Sequence, residues 1–240
     1  MLLNQGKGSK RFPNYRYRLT VEVDTPEGLK RGSSVIEVRT AISGPNKIPS
    51  PGMLMSDIRG EAVTINLGKR GLMFALLRSE TGQEWAHGAM FAAIPNRTQE
   101  EMNRLAEAQI DPFELDMQAL LQLPLEREYE VKRYGQFPQL NKDPPKRYEA
   151  YPLLVRFRDL KDPATIERVP LEDPGSVLGE GVTIKRVTVA KTEAPVTSGL
   201  VRTLPWLKTQ AGMLVKYPMT VHLKDIPMLH QLGDGDFWVR

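Results

Sequence analysis

The chain of 240 residues contains no cysteine, and this absence excludes several kinds of chemistry at once. Disulfides, thiolate metal sites, iron–sulfur clusters and cysteine nucleophiles all depend on the thiol group. The chain also has only three histidines, so the candidate imidazole sites are limited to His87, His222 and His230.

Long apolar runs are missing as well. No stretch approaches the roughly 20 apolar residues that a membrane-spanning helix needs, and the N-terminus lacks the apolar core of a signal peptide. The sequence therefore predicts a protein without a membrane span that stays in the cytoplasm, or in the periplasm if a leader has been removed.

Motifs of common enzyme classes do not occur. We find no Gly-x-Ser-x-Gly elbow, no Walker A loop, no dinucleotide-binding fingerprint and no zincin motif. The loop Gly68–Gly71 contains Lys69 and Arg70, but two predicted strands flank it, which indicates a hairpin rather than a phosphate-binding loop. No cofactor is predicted.

The composition is that of an ordinary globular protein, with 40% apolar and 26% charged residues. The net charge of +4 is unevenly placed, because residues 1–39 contain eight bases and four acids whereas the other residues contain 25 of each. Residues 1–14 are predicted to form a flexible basic tail. A contact with an anionic partner would use the bases of this region, Lys7, Lys10, Arg11, Arg16 and Arg18.

The clearest pattern is the alternation from Tyr15 to Val23. Tyr15 and Tyr17 share one face with aliphatic residues, and Arg16 and Arg18 lie on the opposite face, which predicts a strand with a buried and a solvent-facing side. Since a nucleic-acid surface needs bases and aromatics on the same face, nucleic acid is a poor candidate partner.

Further strands are predicted along most of the chain, and several share a similar alternation or β-rich composition. Their ranges are Ser34–Thr40, Glu61–Leu67, Leu72–Arg78, Leu153–Arg158, Val182–Lys191 and Met219–Leu223. The stretch Leu72–Arg78 is apolar almost throughout, so it is expected to be central. The segment Ser43–Pro51 is predicted to be a loop because it contains three prolines.

A helical pair interrupts these strands at about residues 98–123. Thr98 is a predicted N-cap, and Asp111 followed by Pro112 predicts the start of the second helix. The sequence predicts a mainly β (α+β) fold, with an antiparallel sandwich-like or half-open barrel sheet.

One globular domain is predicted for residues 15–240. A division into two lobes, 15–136 and 150–240, is the alternative, with the proline-rich stretch Phe137–Tyr148 between them. The apolar run Leu204–Leu207 is expected to plug the core.

Several motifs resemble those of an uncharacterised family of proteins from Gram-negative bacteria. The resemblance lies in the first predicted hairpin, with Thr25-Pro26-Glu27-Gly28, and in four later runs: Asp159–Pro163, Gly179–Val182, Ala194–Gly199 and Leu204–Leu207. That family has no assigned activity, so the resemblance implies a shared architecture and no catalytic residues.

A metal site is one hypothesis for the end of the chain. His230, Asp234 and Asp236 have a spacing that could provide three ligands. The alternative is a turn, because Gly233-Asp234-Gly235 is typical hairpin material in which Asp bonds to nearby backbone. His222 falls on the polar side of its predicted strand and is expected to be exposed.

Glu84 and His87 form the second candidate site. If the segment is helical, these side chains lie on the same face and could act as an acid–base pair. The alternative is a polar helix edge.

The sequence favours a non-catalytic binding or assembly protein that uses loops or a sheet edge, with another protein as its partner. The alternative is an enzyme of unrecognised type, possibly metal-dependent, that uses one of these two candidate sites.

Overall fold

The computed structural model describes residues 9–44, 53–80, 85–136, 147–218, 220–222 and 225–239. Within them the chain forms antiparallel strands and a few short helices, which confirms the predicted mainly β, α+β class. The strands are β1 (Lys10–Arg11), β2 (Tyr15–Asp24), β3 (Lys30–Ile42), β4 (Leu54–Glu61), β5 (Val63–Asn66), β6 (Leu72–Ala75), β7 (Tyr129–Glu130), β8 (Tyr134–Gln136), β9 (Arg147–Glu149), β10 (Leu154–Phe157), β11 (Ile166–Arg168), β12 (Thr183–Lys191) and β13 (Trp238–Val239). The α-helices are α1 (Trp85–Gly88), α2 (Gln99–Glu107), α3 (Pro112–Gln122), α4 (Gly175–Leu178) and α5 (Leu200–Thr203).

The first sheet, which we call the large sheet, has the order β13-β4-β3-β2-β12-β7, and β1 adds to β3. The predicted opening strand is confirmed as β2, which pairs with β3 in a hairpin. The turn between them needs a left-handed residue, and Gly28 provides it with φ +100°. Thr25 closes the turn, since its hydroxyl donates to the Gly28 carbonyl at 2.7 Å.

The second sheet, the small sheet, has the order β11-β10-β6-β5. The apolar stretch that begins at Leu72 forms β6 in its interior, as predicted. Alternate side chains of β6 enter two different cores, with Met73 on one side and Phe74 on the other, and both are fully buried. A strand covered on both faces reads as a continuous apolar run, which explains its composition.

One predicted strand, Glu61–Leu67, is wrong in its boundaries. Glu61 ends β4, and β5 begins at Val63, so the chain passes from the large sheet to the small sheet at Ala62. Strand β4 itself was not predicted, because its first half has little apolar alternation.

The two sheets pack face to face around the first core. They approach each other tightly at Gly32 of β3, where an added Cβ would lie 2.4 Å from the Thr64 carbonyl oxygen of β5. The apolar side chains on one face of β2, β3 and β12 line this core together with those of α3, among them Tyr17, Leu19 and Met117.

The second core lies on the other side of the small sheet. The C-terminal segments cover it, and Leu204 and Leu207 are almost completely buried there, as predicted for the apolar run. Phe157, Trp206 and Phe237 contact one another in this core with ring centroids 5.6–5.8 Å apart.

The predicted strand Met219–Leu223 is wrong for the residues that the structure describes, 220–222, which lie outside any strand. The backbone turns instead, since Val221 N donates to the Pro218 carbonyl at 3.0 Å and Asp225 N donates to the His222 carbonyl at 2.9 Å.

The helical pair is confirmed as α2 and α3. Thr98 caps α2 by accepting from Glu101 N at 3.2 Å, and Glu101 accepts in return from Thr98 N at 2.7 Å. Asp111 caps α3 by accepting from Phe113 N at 2.9 Å, with Pro112 in the first turn. Helix α3 packs on the first core through buried side chains.

Strands from both candidate lobes share the two sheets. In the large sheet β12 lies between β2 and β7, and in the small sheet β10 lies beside β6. The proline-rich stretch between the candidate lobes falls mainly outside the described residues. Within the predicted tail, Lys10–Arg11 form a strand, because Phe12 anchors the segment against Phe113 of α3.

Candidate functional site

The face of the large sheet that points away from the first core, here called the polar face, contains most of the charged groups of strands β2, β3 and β12. Tyr15 and Tyr17 lie on the core side, 4% and 0% exposed, and Tyr17 donates from its hydroxyl to the Ala86 carbonyl at 2.7 Å. These tyrosines are packing residues, as the alternation predicted. Arg16 and Arg18 lie on the polar face.

The polar face differs from the prediction in being covered at its centre. Thr20 is 2% exposed and Glu22 is 5% exposed, although their phase in β2 predicts solvent contact. The reason is that the long side chains of Arg31 and Arg186, from the strands on either side, extend over Glu22.

Four side chains form a closed ring of alternating charge around this point. Glu22 accepts from Arg186 at 2.7 and 3.1 Å and lies 3.7 Å from Nε of Arg31. Glu128 completes the ring by pairing with Arg31 and, at 3.5 Å, with Arg186. The hydrogen bonds from Arg186 lower the pKa of Glu22, so its carboxylate stays ionised in the folded protein.

A second carboxylate on the polar face, that of Glu37 in β3, is also paired with two arginines. Glu37 accepts from Arg39 at 2.8 and 3.0 Å and from Arg16 at 3.2 Å. The hydrogen bonds from Arg39 are the main reason that the pKa of Glu37 is lowered. The arginine face that the sequence predicts is therefore a network of ion pairs.

The segment from residue 123 to residue 131, which we call the strap, runs from the end of α3 along the outer edge of β12. Glu126 N donates to the Lys191 carbonyl at 2.8 Å, and Val131 N donates to the Val187 carbonyl at 2.9 Å. The Glu126 carboxylate accepts from Thr192 and lies 3.5 Å from Arg18. The bond from Thr192 is the main cause of the lowered pKa of Glu126.

A trough of about 460 Å³ lies between the strap and the sheet. Two ion pairs form its walls, Arg18 with Glu126 and Arg31 with Glu128. Its floor consists of small side chains, Thr20, Ser33 and Ala190.

A second groove, of about 670 Å³, lies at the other end of the strap. Arg16, Lys191 and Leu125 are among its lining residues. Lys191 donates from its amino group to the carbonyls of Leu121 and Leu123 and so fixes the point where the strap leaves α3.

The predicted metal residues each have a separate partner. His230 Nδ1 lies 2.6 Å from the Tyr217 hydroxyl, and Asp234 accepts from Gly212 N at 3.3 Å. Asp236 accepts from Gly233 N at 2.8 Å, which is the backbone bond expected of a turn.

Burial raises the pKa of Asp236, and Arg78, at 3.5 Å, partly offsets this effect. Among the described residues no group of three or more His, Cys, Asp or Glu side chains could hold a metal ion.

The second predicted pair falls partly outside the described residues, since Glu84 belongs to the stretch 81–84. His87 lies on α1, a single helical turn at the edge of the first core. The hypothesis of an enzyme stays a prediction.

The bases predicted to contact an anionic partner have acidic neighbours in several cases. Lys10 pairs with Glu114 of α3, Arg16 with Glu37 and Arg18 with Glu126. Arg11 is exposed on β1, and Lys7 lies outside the described residues.

The loop after β5 is a hairpin, as predicted, and its bases interact with the neighbouring turn. Arg70 donates to Glu27 at 3.0 Å, and Lys69 also lies 3.0 Å from this carboxylate. Hydrogen bonds from Arg70 and then from Lys69 lower the pKa of Glu27 to about 2.

Sequence reasoning missed three acids that matter for this architecture. Glu126 and Glu128 gave no signal because their partners come from distant strands. Glu61 is 6% exposed and accepts from Gly199 N and Leu200 N at 2.9 Å each, so it caps α5 from across the chain.

No helix of the described residues is long and apolar enough to cross a membrane. In comparisons with known proteins, no family model, curated protein or solved structure matches the chain.

Proposed function

We propose that the protein is a non-catalytic binding protein. Its ligand would be an extended segment of another protein, which pairs as an additional strand with the outer edge of β4. The observation that carries this proposal is the incomplete pairing of β4. Strand β13 pairs only with Gly60 and Glu61. Among the described residues no strand pairs with the outer side of the range 54–57.

The hydrogen bonds at both sides of β4 show which of its N–H and C=O groups point outward. On the inner side, the Met53 carbonyl accepts from Ser43 N at 2.9 Å, and on the outer side Ala62 N donates to the Phe237 carbonyl at 2.7 Å. Because residues of an antiparallel strand alternate between its two neighbours, Leu54 and Ser56 direct their N–H and C=O groups outward. They continue the line of groups that β13 already uses.

The side chains at this edge also fit a protein partner. Met53 and Leu54 are 39% and 47% exposed and offer apolar contact. Natural edge strands are often protected from pairing by charged side chains, proline or a bulge. Residues 54–59 contain neither lysine nor proline, and their two charged residues are Asp57 and Arg59. Addition of a strand at such an edge takes its affinity from main-chain hydrogen bonds.

The test compares two substitutions at one position. Ser56→Pro removes the outward amide, and proline is tolerated on the open side of an edge strand. Ser56→Ala keeps the amide and is the matched control. The probe is a fluorescent peptide that repeats Ile36–Ile42, the strand already paired with the inner side of β4, and its binding is followed by fluorescence anisotropy.

We expect the peptide to bind the wild-type chain and the alanine variant equally. The proline variant should bind at least about fivefold more weakly, as the loss of one hydrogen bond of about 1 kcal/mol predicts. Equal binding by the two variants, or no binding by the wild-type chain, would contradict the proposal. Circular dichroism of both variants verifies that they are folded.

A further inference from the structure

The strap places two carboxylates on arginines that belong to three different strands. Glu126 contacts Arg18 of β2, and Glu128 contacts Arg31 of β3 and Arg186 of β12. In this way a short segment at the edge of the large sheet covers guanidinium groups of the polar face.

The backbone of the strap is strained at the centre of these contacts. Glu126 has φ +59°, a left-handed conformation that side-chain-bearing residues rarely adopt. The carboxylate contacts with Thr192 and Arg18 hold it there. Half-exposed ion pairs of this kind are individually weak, so a competing ligand can replace the carboxylate contacts. The backbone bonds from Glu126 and Val131 to β12 must also open if the strap is to move away from the sheet.

The charge of the trough depends on the strap. Among the described residues that line it, only Glu126 and Glu128 are acidic, and the sheet provides Arg18 and Arg31. If the two carboxylates leave, the trough keeps two guanidinium groups above a floor that contains the hydroxyl groups of Thr20 and Ser33. Glu22 of the sheet, 3.7 Å from Arg31, then remains the acidic neighbour of that arginine.

We propose that this trough is a binding site for an acidic, extended peptide segment and that Glu126 and Glu128 occupy it as an internal competitor. An incoming segment with two carboxylates two residues apart would bind Arg18 and Arg31 in their place. This site lies on a different surface from the outer edge of β4, so its test is independent of the test of the proposed function.

The arginines of the trough favour an acidic peptide as the ligand. In an extended chain, side chains two residues apart project to the same side, so an acidic strand presents two carboxylates to one surface. Guanidinium groups bind carboxylates through paired hydrogen bonds. The described lining residues include no aromatic side chain on which a nucleic-acid base could stack.

The experiment removes the competitor without changing the arginines. The double variant Glu126→Gln/Glu128→Gln is compared with Glu100→Gln/Glu107→Gln, which changes the net charge equally on the exposed surface of α2. The probe is fluorescein-labelled hexaglutamate, titrated with each full-length protein. We expect the strap variant to bind at least about tenfold more tightly than the α2 variant.

A third variant tests the location of the site. Adding Arg18→Gln and Arg31→Gln to the strap variant should return hexaglutamate binding to the wild-type level. If the strap and α2 variants bind equally, or if loss of the two arginines leaves the affinity unchanged, the proposal is overturned. The same holds if single-stranded oligothymidylate binds the strap variant more tightly than hexaglutamate does.

Hydrogen exchange provides a measurement on the unmodified protein. The amides of Glu126 and Val131 donate to carbonyls of β12, so opening of the strap exposes them. Saturating hexaglutamate should accelerate their exchange severalfold while the Tyr17 amide within β2 stays protected. Unchanged exchange of both strap amides under saturation would show that the ligand does not displace the strap.

Discussion

The two sheets of this protein bury their residues differently. The large sheet has one apolar face and one polar face, and on the polar face arginines and carboxylates form a network of ion pairs. The small sheet contributes apolar side chains from both of its faces, because each face contacts its own core. Ion-pair partners on the polar face can be exchanged at modest energetic cost. The stability of the small sheet depends instead on the close fit of its apolar side chains.

The largest expected effect comes from the small sheet. Phe74 is fully buried in β6 and contacts Phe157 with ring centroids 5.8 Å apart. Phe74→Ala should lower the free energy of unfolding by about 3–5 kcal/mol, because it removes a large apolar group and leaves a cavity. Urea denaturation measures this, and a loss below about 1 kcal/mol would show that the second core is not close-packed.

A smaller effect is expected at the centre of the polar face. Glu22→Gln keeps the shape of the side chain but leaves Arg186 without its main carboxylate, so the free energy of unfolding should fall by about 1–3 kcal/mol at neutral pH. The pKa of Glu22 is lowered in the folded state, so its contribution is present above the unfolded pKa and is lost as pH falls through the folded pKa.

Denaturation at several pH values checks this prediction. The stabilities of the wild-type chain and the Glu22→Gln variant should converge on acidification. A difference that stays constant down to the lowest pH at which both fold would contradict the ionic origin of the effect.

The smallest effect is expected at Asp236, where the stability contribution of the carboxyl group changes with pH in the opposite direction to that of Glu22. Burial raises the pKa of Asp236, beside the second core, so the folded protein binds this proton more readily than the unfolded chain. Its favourable contribution is present at low pH and is lost as pH rises through the folded pKa. Relative to the wild-type chain, Asp236→Asn should therefore gain stability on raising the pH, by under about 1 kcal/mol.

The measurement is the same denaturation series, and Glu22→Gln is its internal comparison. If both variants changed in the same direction with pH, the contrast between the carboxylates of the polar face and of the second core would be lost.

Local features of the fold were predictable from the sequence. The alternation of β2, the cap of α2 at Thr98 and the start of α3 at Pro112 are each encoded within a few neighbouring residues. The break at Ala62 was not predictable, because the residues on both sides of it are compatible with a single strand. Their partners separate them, since β4 pairs with β3 and β13 whereas β5 pairs with β6 in the small sheet.

The candidate site was predictable only in part. The alternation places Arg16 and Arg18 on the polar face, but it does not show what they contact. Glu126 is 108 positions away from Arg18 along the chain, and no sequence spacing links them. The sequence therefore gave no indication that the strap contacts the polar face.

The sequence by itself determined that β2 has a tyrosine side and an arginine side, because the two-residue period of a strand fixes which side chains share a face. It also determined that the first core and the polar face lie on opposite sides of that strand. Only the tertiary structure decided that β12 lies beside β2, which brings Arg186 to Glu22 across 164 positions of sequence. That pairing depends on the burial of both apolar faces together, and burial is a property of the whole chain.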